Sequence, residues 1–182
     1  DSAIFADGLD ARSLALPPLT ESQHDALRPM LPGFVTLCNP LDYNTSIWGD
    51  LESCTQVFSA MMDGDFDTTI LALDFPKPGA GSDREWQVAV DAMIAAHKAN
   101  NKTSLVMSNL SELLPADARE RMIAAGVAPM QGAEEGLSAL ASLVRFGQRR
   151  REILAMDEPE RLLLRQGKAV SGDSQMLDEW AS

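Results

Sequence analysis

The stretch "TTILALDF", residues 68–75, decides the fold class. Its apolar residues follow one another without a polar partner at every second position, and the run ends at Asp74 and the turn-rich "PKPGAGS". A strand with one face in water alternates, whereas a continuous Ile/Leu/Ala run is a strand covered on both faces, as in a parallel sheet. Four other short runs read the same way: "SLAL" (13–16), "FVTLC" (34–38), "TSLVMS" (103–108) and "APMQ" (128–131).

Between these runs lie segments with helical period and recognisable ends. "LTESQHDALRPML" opens on Thr20 as N-cap, with Leu27, Met30 and Leu31 as its apolar stripe. "DLESCTQVFSAMMDG" sets Leu51, Cys54, Val57, Phe58 and Met61 on one face and closes at Gly64. "DREWQVAVDAMIAAHKANN" has Ser82 or Asp83 as cap, and "LPADARERMIAAG" has Pro115 in the first turn and Gly126 at its stop. "GAEEGLSALASLVRFGQRRR" turns Leu137, Leu140, Leu143 and Val144 inward and ends in arginines, which suit a helix C-terminus. Strands alternating with crossover helices predict an α/β protein with a mainly parallel sheet and helices on both faces.

Both ends read as continuing. "DSAIFADGLDA" predicts a helix capped by Asp1 or Ser2 with no strand before it, so a first strand is expected upstream of residue 1. After residue 150 the composition changes, and another amphipathic segment starts at Met176. Residues 1–150 are therefore read as one domain and 151–182 as a linker and helical tail.

Composition narrows the partners. The 182 residues are 45% hydrophobic, enough for one ordinary core, and 15 basic against 27 acidic residues give a net charge of −12. No basic stripe with interleaved aromatics is present, which argues against nucleic acid. No segment approaches the roughly 20 apolar residues of a membrane helix, and no leader pattern opens the chain, so a cytoplasmic location is expected. Cys38 and Cys54 lack metal-site spacing and read as small core residues. His24 and His97 have no second ligand at useful spacing and read as helix-surface residues; no metal site or local catalytic nucleophile is expected.

What remains are the loops at the carboxyl ends of the strands, where open parallel sheets hold ligands. "NPLDYNTS" and "DFPKPGAGS" carry Asn39, Asp42, Asn44, Thr45, Ser46, Asp74 and Lys77. Such residues also serve simply as caps and turn formers. Asp42, mid-loop behind Pro40, fits that simpler role least well.

The segment "LRPMLPGFVTLCNPLDY", with its Asn-Pro-Leu-Asp at a strand end, resembles the Asn-Pro-(Val/Leu)-Asp signature of the NDP-forming acyl-CoA synthetases, the acetate–CoA ligase and succinyl-CoA synthetase superfamily. The likeness continues through "ILALDF", "TSLVMSN" and "RERMIAAGVAPMQGAEEGLSALASLVRFGQRR", covering about residues 1–151. It implies the second of two flavodoxin-like, three-layer α/β/α domains in an enzyme that converts acid, CoA and ATP to acyl-CoA, ADP and phosphate through an acyl phosphate and a phosphohistidine. The same resemblance implies that Asp1, Ser2 and Ala3 form a phosphate-facing helix N-terminus, with Asn39, Asp42 and Asp74 on the inter-domain surface. It gives the fragment no catalytic residue and no cofactor of its own. ATP, magnesium and CoA would be held by partner domains of the same polypeptide: a CoA-binding domain, a histidine-bearing domain and an ATP-grasp module whose first helix "MLDEWAS" resembles. Two other classes stand beside this reading: a non-catalytic α/β protein-interaction module, and a flavodoxin-like electron carrier, for which no aromatic pair flanks a phosphate loop.

Overall fold

The computed structural model describes residues 2–43 and 45–156, with the backbone alone at residues 2 and 3. Contacts divide the chain into a unit of residues 1–145 and a unit of residues 146–182. The expected segment at Met176 lies outside the described residues.

Three parallel strands, β1 (Thr69–Ala72), β2 (Ser104–Met107) and β3 (Ala128–Met130), stand in the order β1-β2-β3. Helices α4 (Arg84–Asn100) and α5 (Ala116–Ala125) make the two crossovers. The side-chain period of two sorts the strand residues between two cores. Leu71, Leu73 and Val106 join a large cluster with α2 (Glu21–Leu27), α3 (Leu51–Met62), α4 and α5. Ile70, Ala72, Met107 and Met130 pack on the other face with Phe5 and Leu9 of α1 (Ser2–Asp10) and Leu137 of α6 (Ala133–Leu154). Helix, sheet and helix are thus three layers of a flavodoxin-like α/β/α fold, as expected.

Local chemistry sets the helix ends. Thr20 and Gln23 form a reciprocal capping box, and Gln23, 1% exposed, also donates to the carbonyls of Ala60 and Met61, locking α2 onto the end of α3. Gly64 follows α3 where a Cβ would lie 2.6 Å from the Phe66 ring, so no side chain fits. Gly126 ends α5 at φ +86°, a left-handed turn that favours glycine.

Two expected strands are absent. Residues 14–20 and 36–38 have no regular structure, and the Val35 amide closes a turn onto Pro32 O at 2.9 Å. Some of their side chains still reach the cores: Val35 is buried in the larger cluster with Leu37 partly buried against it, and Leu14 and Leu16 pack partly buried against the smaller, while Phe34 stays exposed. Apolar sequence favours burial, but a strand also needs a neighbour within hydrogen-bonding reach, and among the described residues neither segment has one. Further corrections concern single residues. Cys38 is exposed, because it has already entered the loop, whereas Cys54 is fully buried. Leu51 is half exposed, and Leu143 lies 66% exposed because the buried face of α6 runs through Gly136, Leu137 and Ala141 instead.

Candidate functional site at the strand ends

Asp74 stands two residues beyond β1 and Asn109 two beyond β2, and the register Ala72↔Met107 brings them to the same level. One Asp74 oxygen accepts from the Asn109 amide N–H (2.7 Å) and the other from its side-chain Nδ2 (2.6 Å). The carbonyl of Asn109 in turn accepts from Ala133 N–H (3.1 Å), the first residue of α6. One carboxylate therefore ties the ends of two strands to the start of a helix. With both oxygens engaged in short charge-assisted bonds, Asp74 serves as a tie and not as a free base.

Around this tie the chain is polar. Gln131, after β3, donates to Ser111 O (2.8 Å) and accepts from Arg119 Nη1 (2.7 Å). Among the described residues, buried Ser108 Oγ, Asn109 Oδ1 and Arg119 Nε have no hydrogen-bond partner. On the face of α1 and α6, Arg12 pairs with Glu134 and donates to Ser138 Oγ (3.2 Å) and Gly8 O (3.0 Å).

The Asn-Pro-Leu-Asp loop is held from two sides. Asn39 donates its side-chain amide to Pro17 O (2.9 Å), and the Asn39–Pro40 peptide bond is cis. Asp42 is exposed, and the next residue, Tyr43, turns inward to stack on Trp48 (6.4 Å) and meet Phe58 edge-on (5.5 Å). Burial, then the charges of Cys54 and Asp42, push the Tyr43 phenol above its ordinary pKa, so it stays neutral. Trp48 meets Trp86 of α4 at 5.4 Å, and a cleft of about 230 Å³ opens beside it, lined by Trp48, Gly49, Arg84, Glu85 and Val88. Asp50 caps α3 by accepting from the backbone and hydroxyl of Ser53 and from Glu52 N–H, bonds that lower its pKa.

The structure thus places Asp74 at the sheet's edge in a bond network, and Asn39 and Asp42 on a separate loop anchored by Pro17 and the aromatic group. Asn44 and the side chains of Asp1, Ser2 and Ala3 lie outside the description; Ser2 and Ala3 open α1. Lys77 is exposed in the turn after β1. Asn109 was missed by sequence reasoning. Its signal was positional: it follows its apolar run at the register of Asp74. Among the described residues, no group of three or more His, Cys, Asp or Glu side chains is placed to hold a metal ion, and no helix is long and apolar enough to cross a membrane.

No protein-family model matches the sequence, and no curated protein matches it. Solved structures do. PH0766 from Pyrococcus horikoshii OT3 superimposes with a TM-score of 0.65 at 25% identity, over 80% of this chain and 33% of that one. The dinucleotide-forming acetyl-coenzyme A synthetase 1 of Ca. Korarchaeum cryptofilum matches in its apo form (TM-score 0.62, 16% identity) and in complex with phosphate and ADP (0.63, 17%). Each of these matches covers 84% of this chain and 32% of the synthetase. This chain thus spans about a third of the length of the structures it matches. It shares the fold of a segment of an archaeal acetyl-coenzyme A synthetase, a member of the enzyme class that its Asn-Pro-Leu-Asp sequence resembles.

Proposed function

We propose that this chain is the second flavodoxin-like domain of an ADP-forming acyl-CoA synthetase, required for the reaction but not catalytic by itself. The observation that carries this reading is the coincidence of two independent likenesses: the Asn39–Asp42 tetrapeptide in its order of strands, and the superposition on the synthetase.

The reaction joins an acid to CoA at the expense of ATP, by way of an acyl phosphate and a phosphohistidine. A phosphoryl group carried between sites must be held away from bulk water, and the N–H groups and dipole at a helix N-terminus suit it. In this reading Asp1, Ser2 and Ala3 present that end, while Asn39, Asp42 and the Asp74–Asn109 tie shape the surface facing the other domains. Those domains would bind CoA, carry the histidine and, through an ATP-grasp fold, hold ATP and magnesium.

The test compares three proteins: the longer polypeptide containing residues 1–182, the same polypeptide with Ala3→Asp, and the 182-residue chain alone. The reading expects acid- and CoA-dependent ADP release from the first. It expects a rate about a hundredfold lower from the second, in keeping with loss of an oxyanion-type contact, and none from the third. Turnover by the 182-residue chain alone would contradict it. A non-catalytic interaction module is the second reading, favoured by Phe34, which stands 74% exposed on an acidic chain. Failure of the longer polypeptide to make any thioester would support that alternative.

A further inference from the structure

Among the described residues, the buried side-chain atoms without a hydrogen-bond partner belong to the end of β2 and the first turn of the next helix: Ser108 Oγ, Asn109 Oδ1 and Arg119 Nε. The side-chain period of two sets Ser108 and Arg119 on one face of the sheet. Val106 packs in the larger cluster with Ala118 and Met122 of α5, so Ser108, two residues further on, also turns toward α5. Met130 faces the smaller cluster, so Gln131 turns the same way as Ser108. The bond from Ser108 N–H to Met130 O (3.1 Å) keeps these strand ends level.

Arg119 reaches this level from α5. Its Nη1 donates to Gln131 Oε1 (2.7 Å), and Gln131 Nε2 is itself held on Ser111 O (2.8 Å). In a planar guanidinium Nη1 lies on the side of Cδ, so the opposite edge, Nε with Nη2, carries two parallel N–H groups. That edge bonds to nothing among the described residues. It has the geometry that takes both oxygens of a carboxylate at once.

Electrostatics call for the same partner. Arg119 stands in the first turn of α5, where the helix dipole opposes a cation. The acid of that turn, Asp117, accepts from Gln87 of α4 (3.3 Å) instead. Among the described residues Arg119 forms no ion pair, and the side chain it bonds is the neutral Gln131. A buried guanidinium nitrogen and a buried hydroxyl without partners both cost free energy, which a bound oxyanion would offset.

We propose that Arg119 and Ser108 form a carboxylate-binding position, in which the carboxylate accepts from Arg119 Nε and Nη2 and from the Ser108 hydroxyl. One negative charge matches the single guanidinium, whereas a phosphate group brings close to two. The carboxylate belongs either to a small carboxylic acid or to an Asp or Glu side chain of the longer polypeptide. Nε and Oγ are shielded from solvent, so entry moves the Ser111–Leu113 turn, which links β2 to α5 and buries none of its residues. The position lies on the opposite face of the sheet from α1 and does not depend on the ligase reading, so a negative ligase assay leaves it standing.

The side-chain N–H signal of Arg119 Nε in proton–nitrogen correlation spectra tests it, with acetate, inorganic phosphate or chloride added at equal ionic strength. In the 182-residue chain acetate shifts this signal saturably, and phosphate and chloride do not. Ser108→Ala weakens acetate binding at least about fivefold and leaves the melting temperature unchanged or higher, because the hydroxyl has no partner to lose. Arg119→Lys keeps the charge, loses the paired donors and abolishes the acetate response read at the Gln131 side-chain amide. In the longer polypeptide, a signal that acetate still shifts assigns the position to a small acid. A signal displaced before any addition and insensitive to acetate assigns it to a protein carboxylate. A signal in the 182-residue chain unmoved by acetate up to about 0.1 M, or shifted equally by phosphate or chloride, would overturn the proposal. So would a signal in the longer polypeptide that is neither displaced nor responsive.

Discussion

Asp74 accepts both the main-chain and the side-chain N–H of Asn109, joining the ends of β1 and β2 with a single carboxylate. The two contributions are unequal. Asp74→Ala leaves the Asn109 amide N–H without its acceptor and should cost about 1–3 kcal/mol, whereas Asn109→Ala keeps the main-chain bond and removes only the side-chain donor. Urea unfolding of the two variants should therefore rank Asp74→Ala as the more destabilised. The reverse ranking would mean that the main-chain bond contributes little.

The Gln23 amide joins the start of α2 to the end of α3. Thr20→Ala removes an N-cap and should cost about 1 kcal/mol. Gln23→Ala should cost more, because it also removes the side-chain donor to the Met61 carbonyl and one of the two donors to the Ala60 carbonyl, and opens a void in the core. Thermal melts of both variants check the order.

Acid sensitivity should localise to the start of α3. Hydrogen bonds from Ser53 and Glu52 lower the Asp50 pKa below its ordinary 3.8. A depressed carboxylate contributes stability that is fully present above its unfolded pKa and lost as pH falls through its folded one. Asp50→Asn keeps an N-cap but does not titrate, so the gap in stability between wild type and variant should shrink as pH is lowered below about 4. A gap constant from pH 6 down to pH 2 would remove Asp50 from the explanation.

The two thiols should separate kinetically. Cys38 is exposed in the loop, while Cys54 is fully buried and its pKa is raised by burial and by Asp50. A thiol reagent at neutral pH should label Cys38 promptly and Cys54 only as the protein unfolds. Equal labelling rates would contradict the placement of Cys54 beneath Ile47, whose carbonyl its sulfur meets at 3.2 Å.

Much of the fold was legible because periodicity reports burial directly. The runs at residues 68–75 and 103–108 became β1 and β2, and Thr20 and Gly126 ended their helices as read. Pairing was less legible. "SLAL" and "FVTLC" have the composition of strands and turn their leucines and Val35 toward the cores, but hydrogen-bond partnership depends on which chain lies alongside, and that is not written in the segment itself. The tie at Asp74 was half legible for the same reason: a carboxylate after a strand is visible in the sequence, but its partner Asn109 is set by the register of another strand. The aromatic group of Tyr43, Trp48 and Trp86 gathers residues from the loop and α4, a meeting that no local pattern announces.

The central claim is that these residues belong to an enzyme that makes an acyl thioester with ADP as the product nucleotide. The most direct measurement is the product balance of the longer polypeptide supplied with ATP, magnesium, CoA and a panel of carboxylic acids. The account predicts acyl-CoA, ADP and inorganic phosphate in equal amounts, all lost when residues 1–182 are deleted and the remaining domains stay folded. Formation of AMP and pyrophosphate, or undiminished thioester synthesis without residues 1–182, would contradict it.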